Sequence, residues 1–246
     1  MEIEDLFKKW EKYLTGKADY HHGQVLANHS IMVNIQRMVD DSFIFETFNN
    51  AGLEMSKNKK NYKKNFCSNK YLISALTKWY LETQSLYVRR LTENSGKRWE
   101  DTCSLMNLLT AIEKNACHLN RESFCNFHKK DQDYADTKFD ILSDKKNSSK
   151  KDSDQISKKY IMELKKRLET PEISDVKNYT DKVVAHCDFK TFNVNFSINK
   201  IKKCHESIIK VYQEINSNFF LRVCDFGKTS LKKEMVLQNA DKPFLI

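Results

Sequence analysis

The scarcest residues constrain this chain most. Its 246 residues include five Gly and two Pro, where ordinary usage would make those two types about 12% of the sequence. A β-sandwich or barrel turns every 8 to 12 residues or so and draws on Gly and Pro to do it. A doubly wound α/β fold needs Gly in its phosphate loops. Both are excluded on supply alone, and the chain reads as all-α. Its 40% hydrophobic and 30% charged content suits a helical protein with a polar surface. No apolar run approaches the ~20 residues of a membrane span. The opening Met1-Glu2-Ile3-Glu4-Asp5 is acidic where a signal peptide would be basic and then apolar, so a cytoplasmic protein is expected.

The apolar residues recur at helical spacing almost throughout. Leu6, Phe7, Trp10 and Leu14 make a first stripe that Gly16 stops. Tyr20 to Phe48 reads as one long helix or two, with Asp40-Asp41-Ser42 as the candidate break; Ser56 to Phe66 reads as a loop. A strong helix runs from a Ser68 cap to Leu91, a second spans Thr102 to Ala116, and a short one covers Arg121 to Phe127. Residues 129–155 are mostly Lys, Asp, Ser and Asn and are expected to be a mobile internal loop. Helical spacing resumes at Ile156. Thr170-Pro171 then supplies an N-cap and a proline at the first helical position, opening a helix to about His186, and a last long helix follows Ser197. Residues 220–246 lack a helical period and read as a C-terminal arm, with Phe220–Val223 a short strand or an extended packing piece.

Seven cysteines (Cys67, Cys103, Cys117, Cys125, Cys187, Cys204 and Cys224) are expected to be reduced, packing as small apolar residues. Cys117-His118 with Cys125 and His128 lacks the spacing of a zinc finger, so no metal is expected. His21-His22 with His29 reads as surface histidine on an amphipathic helix. A formal net charge of +9 makes nucleic acid the first partner to consider, although much of the excess lies in solvated lysine runs such as 57–64 and 145–151.

The helix opened by Pro171 carries the chemistry. Projected at 100° per residue, Asp175, Tyr179 and Lys182 lie within roughly 40° of His186, while Ile173, Val176, Thr180, Val183 and Val184 point to the core. An imidazole near a helix C-terminus serves either as a general acid–base or as a cap that meets the dipole.

The segment Asp181-Lys182-Val183-Val184-Ala185-His186-Cys187-Asp188 resembles the signature of the HEPN superfamily, in particular its AbiU-like abortive-infection branch. That signature has an Arg, then a polar residue, then a His four to six positions after the Arg. Trp79-Tyr80 to Val88-Arg89-Arg90-Leu91 is similar to the family's aromatic helix ending in Arg-Leu. Cys103-Ser104-Leu105-Met106-Asn107-Leu108-Leu109 is similar to its Ser-Leu-x-x-Leu-Leu helix start. The likeness spans about residues 5 to 219, one domain over 1–219. It implies a helical bundle with extra N-terminal helices that pairs into a homodimer, both His-bearing helices facing a shared cleft. It further implies a metal-independent endoribonuclease with no cofactor, in a bacterial phage-defence or toxin–antitoxin system with a possible cognate antitoxin. The ribose 2′-OH would attack the adjacent phosphorus, leaving a 2′,3′-cyclic phosphate. His186 would move the proton, Asp181 would orient it or meet substrate, and Lys182 or Lys177 would stand in for the motif's cation. Lys177, Tyr179, Arg89 and Arg90 would contact RNA, the two arginines being equally readable as cations at a helix C-terminus. The chain departs from the pattern at Thr180, which occupies the Arg position. A member without catalysis, serving as an RNA-binding or protein-interaction module, is the alternative.

Overall fold

The computed structural model describes residues 3–16, 20–21, 24–25, 30–57, 70–94, 104–144, 154–185, 196–224 and 226. It is an all-α bundle, as the shortage of Gly and Pro implies. Helix α1 (Ile3–Thr15) buries Leu6, Phe7, Trp10 and Leu14 on one stripe. Gly16 ends it in the left-handed region at φ 62°, its N–H donating to the Lys12 carbonyl at 2.8 Å. Only a residue without Cβ adopts that φ without strain.

The expectation of helix from Tyr20 onward is corrected. Tyr20–His21 (β1) and Gln24–Val25 (β2) pair antiparallel, and α2 begins at Ile31, running to Lys57. Ser30 decides the start, its hydroxyl accepting the Val33 N–H at 3.2 Å. His21 therefore lies in a strand rather than on an amphipathic helix; His22 and His29 lie outside the described residues. Asp40-Asp41-Ser42 is no break, because these polar residues have partners on the helix flanks. Gln36 donates to Asp40 at 3.0 Å, Asp41 is hydrogen-bonded to Tyr87, and the Ser42 and Tyr80 hydroxyls lie 3.1 Å apart. The expected Ser56–Phe66 loop is helical at its start, and the rest of it and the Ser68 cap lie outside the described residues.

Helix α3 (Lys70–Thr92) packs against α2, α4 (Leu105–Asn115), α8 (Pro171–Tyr179) and α9 (Ile198–Phe219). Ser104 caps α4, two residues later than the sequence pattern suggests, and Asn120 caps α5 (Arg121–Phe127).

The expected mobile loop over 129–155 is overturned for its first half. Gln132–Leu142 is a helix, α6, whose Ala135, Phe139 and Leu142 are buried. Few apolar residues suffice here because they share one stripe, and because the polar side has its own anchor. Arg121 reaches Asp136 and Asp140 at 2.6 Å each and lies over the Phe139 ring at 4.8 Å. Residues 145–153 lie outside the described set. Ser157 caps α7 (Lys158–Arg167) and Ser197 caps α9.

After α9 the chain is irregular but fastened, not a strand. Arg222 pairs with Glu11 of α1, Gln213 donates to the Cys224 carbonyl at 3.3 Å, and Phe226 is buried edge-on to Tyr212. Residues 227–246 lie outside the described set. Among the described residues no helix is long and apolar enough to cross a membrane.

Candidate functional site

Helix α8 starts where its cap and proline dictate. The Thr170 side chain accepts the Ile173 N–H, and Pro171 takes the first turn, where a missing N–H leaves nothing unpaired. Ile173 and Val176 are buried and seat the helix between α3 and α9. The α-helical ladder holds only to Tyr179. Thr180–Ala185 continues as a π-helix, a rare wider turn that inserts a residue into the register and recurs at functional sites. The 100° projection therefore no longer applies beyond Tyr179, and His186, the end of the expected column with Asp175, Tyr179 and Lys182, lies outside the described residues.

Each candidate has a definite place up to the end of that turn. Thr180 is fully buried and donates its hydroxyl hydrogen to the Val176 carbonyl at 2.8 Å, on the core side where the register puts it. Asp175 faces α9 and pairs with Lys200 at 2.6 Å. Tyr179 stacks on Phe196 with ring centroids 3.9 Å apart and planes 9° from parallel, and burial raises its phenol pKa. Lys182 is exposed. His186 lies outside the described residues.

Two sequence-distant groups do meet. Arg89, near the end of α3, places Nη1 2.8 Å from Oδ1 of Asp181 in the first turn of the π-helix. Lys177 reaches the same end of α3 and donates from Nζ to the Thr92 carbonyl at 2.7 Å. Burial lowers its pKa, against the opposing pull of Glu169, Glu93 and Asp181. Arg90 is not part of this group, because it turns toward α2 and donates to Asn34 Oδ1 at 3.2 Å.

No family model, curated protein or solved structure matches this chain. What the site can do is therefore read from its own chemistry. Arg89 brings a planar guanidinium to a carboxylate, an arrangement that grips one oxyanion and can exchange it for another. Asp181, Glu93 and Glu169 act on Lys177 from one side of the charge balance and Arg89 from the other.

His128, Cys204 and Cys125 are committed to packing. His128 bonds to the Phe219 carbonyl at 2.9 Å through Nε2, and burial lowers its pKa. Burial also pushes the Cys204 thiol up to about 12 and raises that of Cys125. Among the described residues, no three His, Cys, Asp or Glu side chains are grouped as metal ligands.

Sequence reasoning missed the partnership of Arg89 with Asp181, the Phe196 platform under Tyr179, and a buried polar set between α2, α3 and α9. In that set the His205 Nδ1 lies 3.5 Å from Ser42 Oγ, and Gln84 is wholly buried with both amide atoms unpaired. Their only signal in the sequence is a polar residue on an apolar stripe.

Proposed function

We propose that this protein is an AbiU-like HEPN endoribonuclease of a bacterial phage-defence or toxin–antitoxin system, acting on RNA without a metal or cofactor. The observation that supports it is the Arg89–Asp181 pair at 2.8 Å. It brings an arginine from α3 to the polar position of the resembled motif, in a chain whose own motif-Arg position is the buried Thr180. In this reading the ribose 2′-OH attacks the adjacent phosphorus, the bond to the 5′ oxygen breaks, and the proton passes from the 2′ oxygen to the departing 5′ oxygen by way of His186. The products are a 2′,3′-cyclic phosphate and a 5′-OH, and the nucleophile belongs to RNA itself. A cognate antitoxin and a cytoplasmic setting belong to the same reading.

A second reading has its own support. Thr180 offers no charge and Arg89 is already paired with Asp181, which suits a module that binds RNA or protein without cutting. The two separate in one experiment: purified protein is incubated with mixed RNA in chelator, and the new ends are mapped. The ribonuclease reading expects cyclic-phosphate ends that vanish in His186→Ala. Cleavage that requires a divalent ion, or that persists in His186→Ala, refutes the mechanism. RNA binding without new ends supports the second reading.

A further inference from the structure

Where α8 gives way to the π-helix, the chain lays one aromatic ring on another. Tyr179, the last residue of α8, stacks on Phe196, the residue before the Ser197 cap of α9. Phe196 packs against the hydrophobic core, so the lower ring is fixed from beneath. Tyr179 is half-buried: Phe196 takes one face, and part of the ring stays open to solvent. Burial first, and the negative charge of Glu82 second, hold the phenol in its neutral form. The upper ring is therefore a flat, uncharged surface set in place before any ligand arrives.

The neighbours of this ring give it a use. Asp181, the partner of Arg89, follows Tyr179 by two residues, so their Cα atoms lie within about 7 Å. On α3, Glu82 acts on the Tyr179 phenol and stands two turns, about 10 Å, before Arg89 on the same face. The Glu82 side chain is 33% exposed, and its contact with Lys78 is loose at 3.8 Å. A flat ring, a carboxylate and a guanidinium thus share one side of the contact between α3 and α8.

We infer that the Tyr179–Phe196 stack is a subsite for an unpaired RNA base, that Arg89 takes the adjoining phosphate in exchange for Asp181, and that Glu82 selects the base. This deepens the reading that RNA is the ligand and rests on it, whether or not the strand is cut. A base inside a duplex is already stacked and paired, so the strand that uses this ring is single. Every base has a π-face, which makes stacking tolerant of sequence. The choice of base therefore falls to Glu82. An ionised carboxylate only accepts hydrogen bonds. It accepts from the exocyclic amino group of cytosine or adenine, whereas uracil presents a carbonyl oxygen at the same edge and is repelled.

Fluorescence anisotropy of short labelled strands of adenine, cytosine or uracil, titrated with the full chain, tests it. Each strand is used unmodified and 2′-O-methylated, because a methylated 2′ oxygen cannot attack and binding is then read without cutting. Wild type is expected to hold the adenine and cytosine strands about fivefold tighter than uracil, and Glu82→Gln to narrow that gap. Tyr179→Leu should weaken every strand about tenfold, and Tyr179→Phe, which keeps the ring, should restore most of the loss. Arg89→Ala should weaken all strands alike and lower the salt slope by about one. Circular dichroism checks the fold of each variant. If Tyr179→Leu loses helix, Glu82→Gln reads the same subsite from a partly exposed flank with the stack intact. Binding by a folded Tyr179→Leu equal to wild type overturns the inference and leaves RNA as the ligand. So does a loss in Tyr179→Phe as large as in Tyr179→Leu, or a uracil strand held as tightly as cytosine. Wild type that binds none of the strands, unmodified or methylated, overturns the RNA reading itself and this inference with it.

Discussion

Acidification should destabilise this protein through His205. The imidazole is held in α9 among α2 and α3, with the residue 7% exposed. Nδ1 lies 3.5 Å from Ser42 Oγ, and Nε2 has no partner. Burial, and then the positive charge of Lys202 one turn earlier, push its pKa from the ordinary 6.5 down to about 3. The other titratable groups nearby are Tyr80, itself raised by burial, and Glu46, which pairs with Lys202 at 2.8 Å. The folded state therefore holds His205 neutral while the unfolded chain takes up a proton below 6.5. The stability it contributes is complete above pH 6.5 and is lost progressively as pH falls toward 3. At pH 5, about 1.5 units into that window, the loss is about 2 kcal/mol at roughly 1.4 kcal/mol per unit. Urea unfolding of wild type and His205→Phe at pH 7.5 and 5.0 reads the effect as a difference of differences. Carboxylates and the half-buried His128 contribute equally to both proteins and cancel. Wild type should lose about 2 kcal/mol more than the variant. Two curves that stay parallel from pH 7.5 to 5.0 would refute the argument.

Three further substitutions check particular steps of the fold. Phe139→Ala should destabilise by about 3–5 kcal/mol in chemical denaturation, because Phe139 is fully buried on α6; a loss below about 1 kcal/mol would return that segment to the status of a loop. Gly16→Ala should lower stability by about 1–2 kcal/mol from the left-handed φ alone. A collision with the Ser30 side chain that starts α2 adds to this, and the two effects together read as a drop in Tm. Thr180→Arg restores the letter of the resembled motif but forces a guanidinium into a fully buried position. The expected outcome is a loss of about 3 kcal/mol or more, with no gain in RNA cleavage; a stable, more active variant would show that the site opens more than its packing allows.

The helices were legible because they are local. The predicted cap Thr170 with Pro171, and Ser197 ahead of the last helix, each satisfy an N–H only three residues ahead. Gly16 stops α1 for an equally local reason, its left-handed φ. The failure at α6 is of another kind. Whether residues 132–142 fold depends on contacts outside the segment. Arg121 holds Asp136 and Asp140 from another helix, and no window of composition around Lys129 to Gln155 contains that information.

The site fails to be legible for a sharper reason. A helical projection assumes constant rotation per residue, and it works to Tyr179, placing Ile173 and Val176 inward and Asp175 outward. At Thr180 the backbone widens into a π-helix. Thr180 itself stays buried, its hydroxyl spent on the Val176 carbonyl, but the residues after it are carried to angles that the α-helical wheel does not give. Asp181 then emerges beside Arg89, about ninety positions earlier in the chain. Arg89 was one of two adjacent arginines with equal claims in the sequence, and the fold separates them: a rotation of about 100° per residue turns one to the π-helix and the other to Asn34 of α2. A search confined to residues 171–188 finds Thr180 where the resembled motif has Arg, and does not see that the fold brings Arg89 of α3 to Asp181. Arg89→Ala should then impair RNA binding or cleavage more than Arg90→Ala does, and equal effects would mean that both act only as diffuse surface charge.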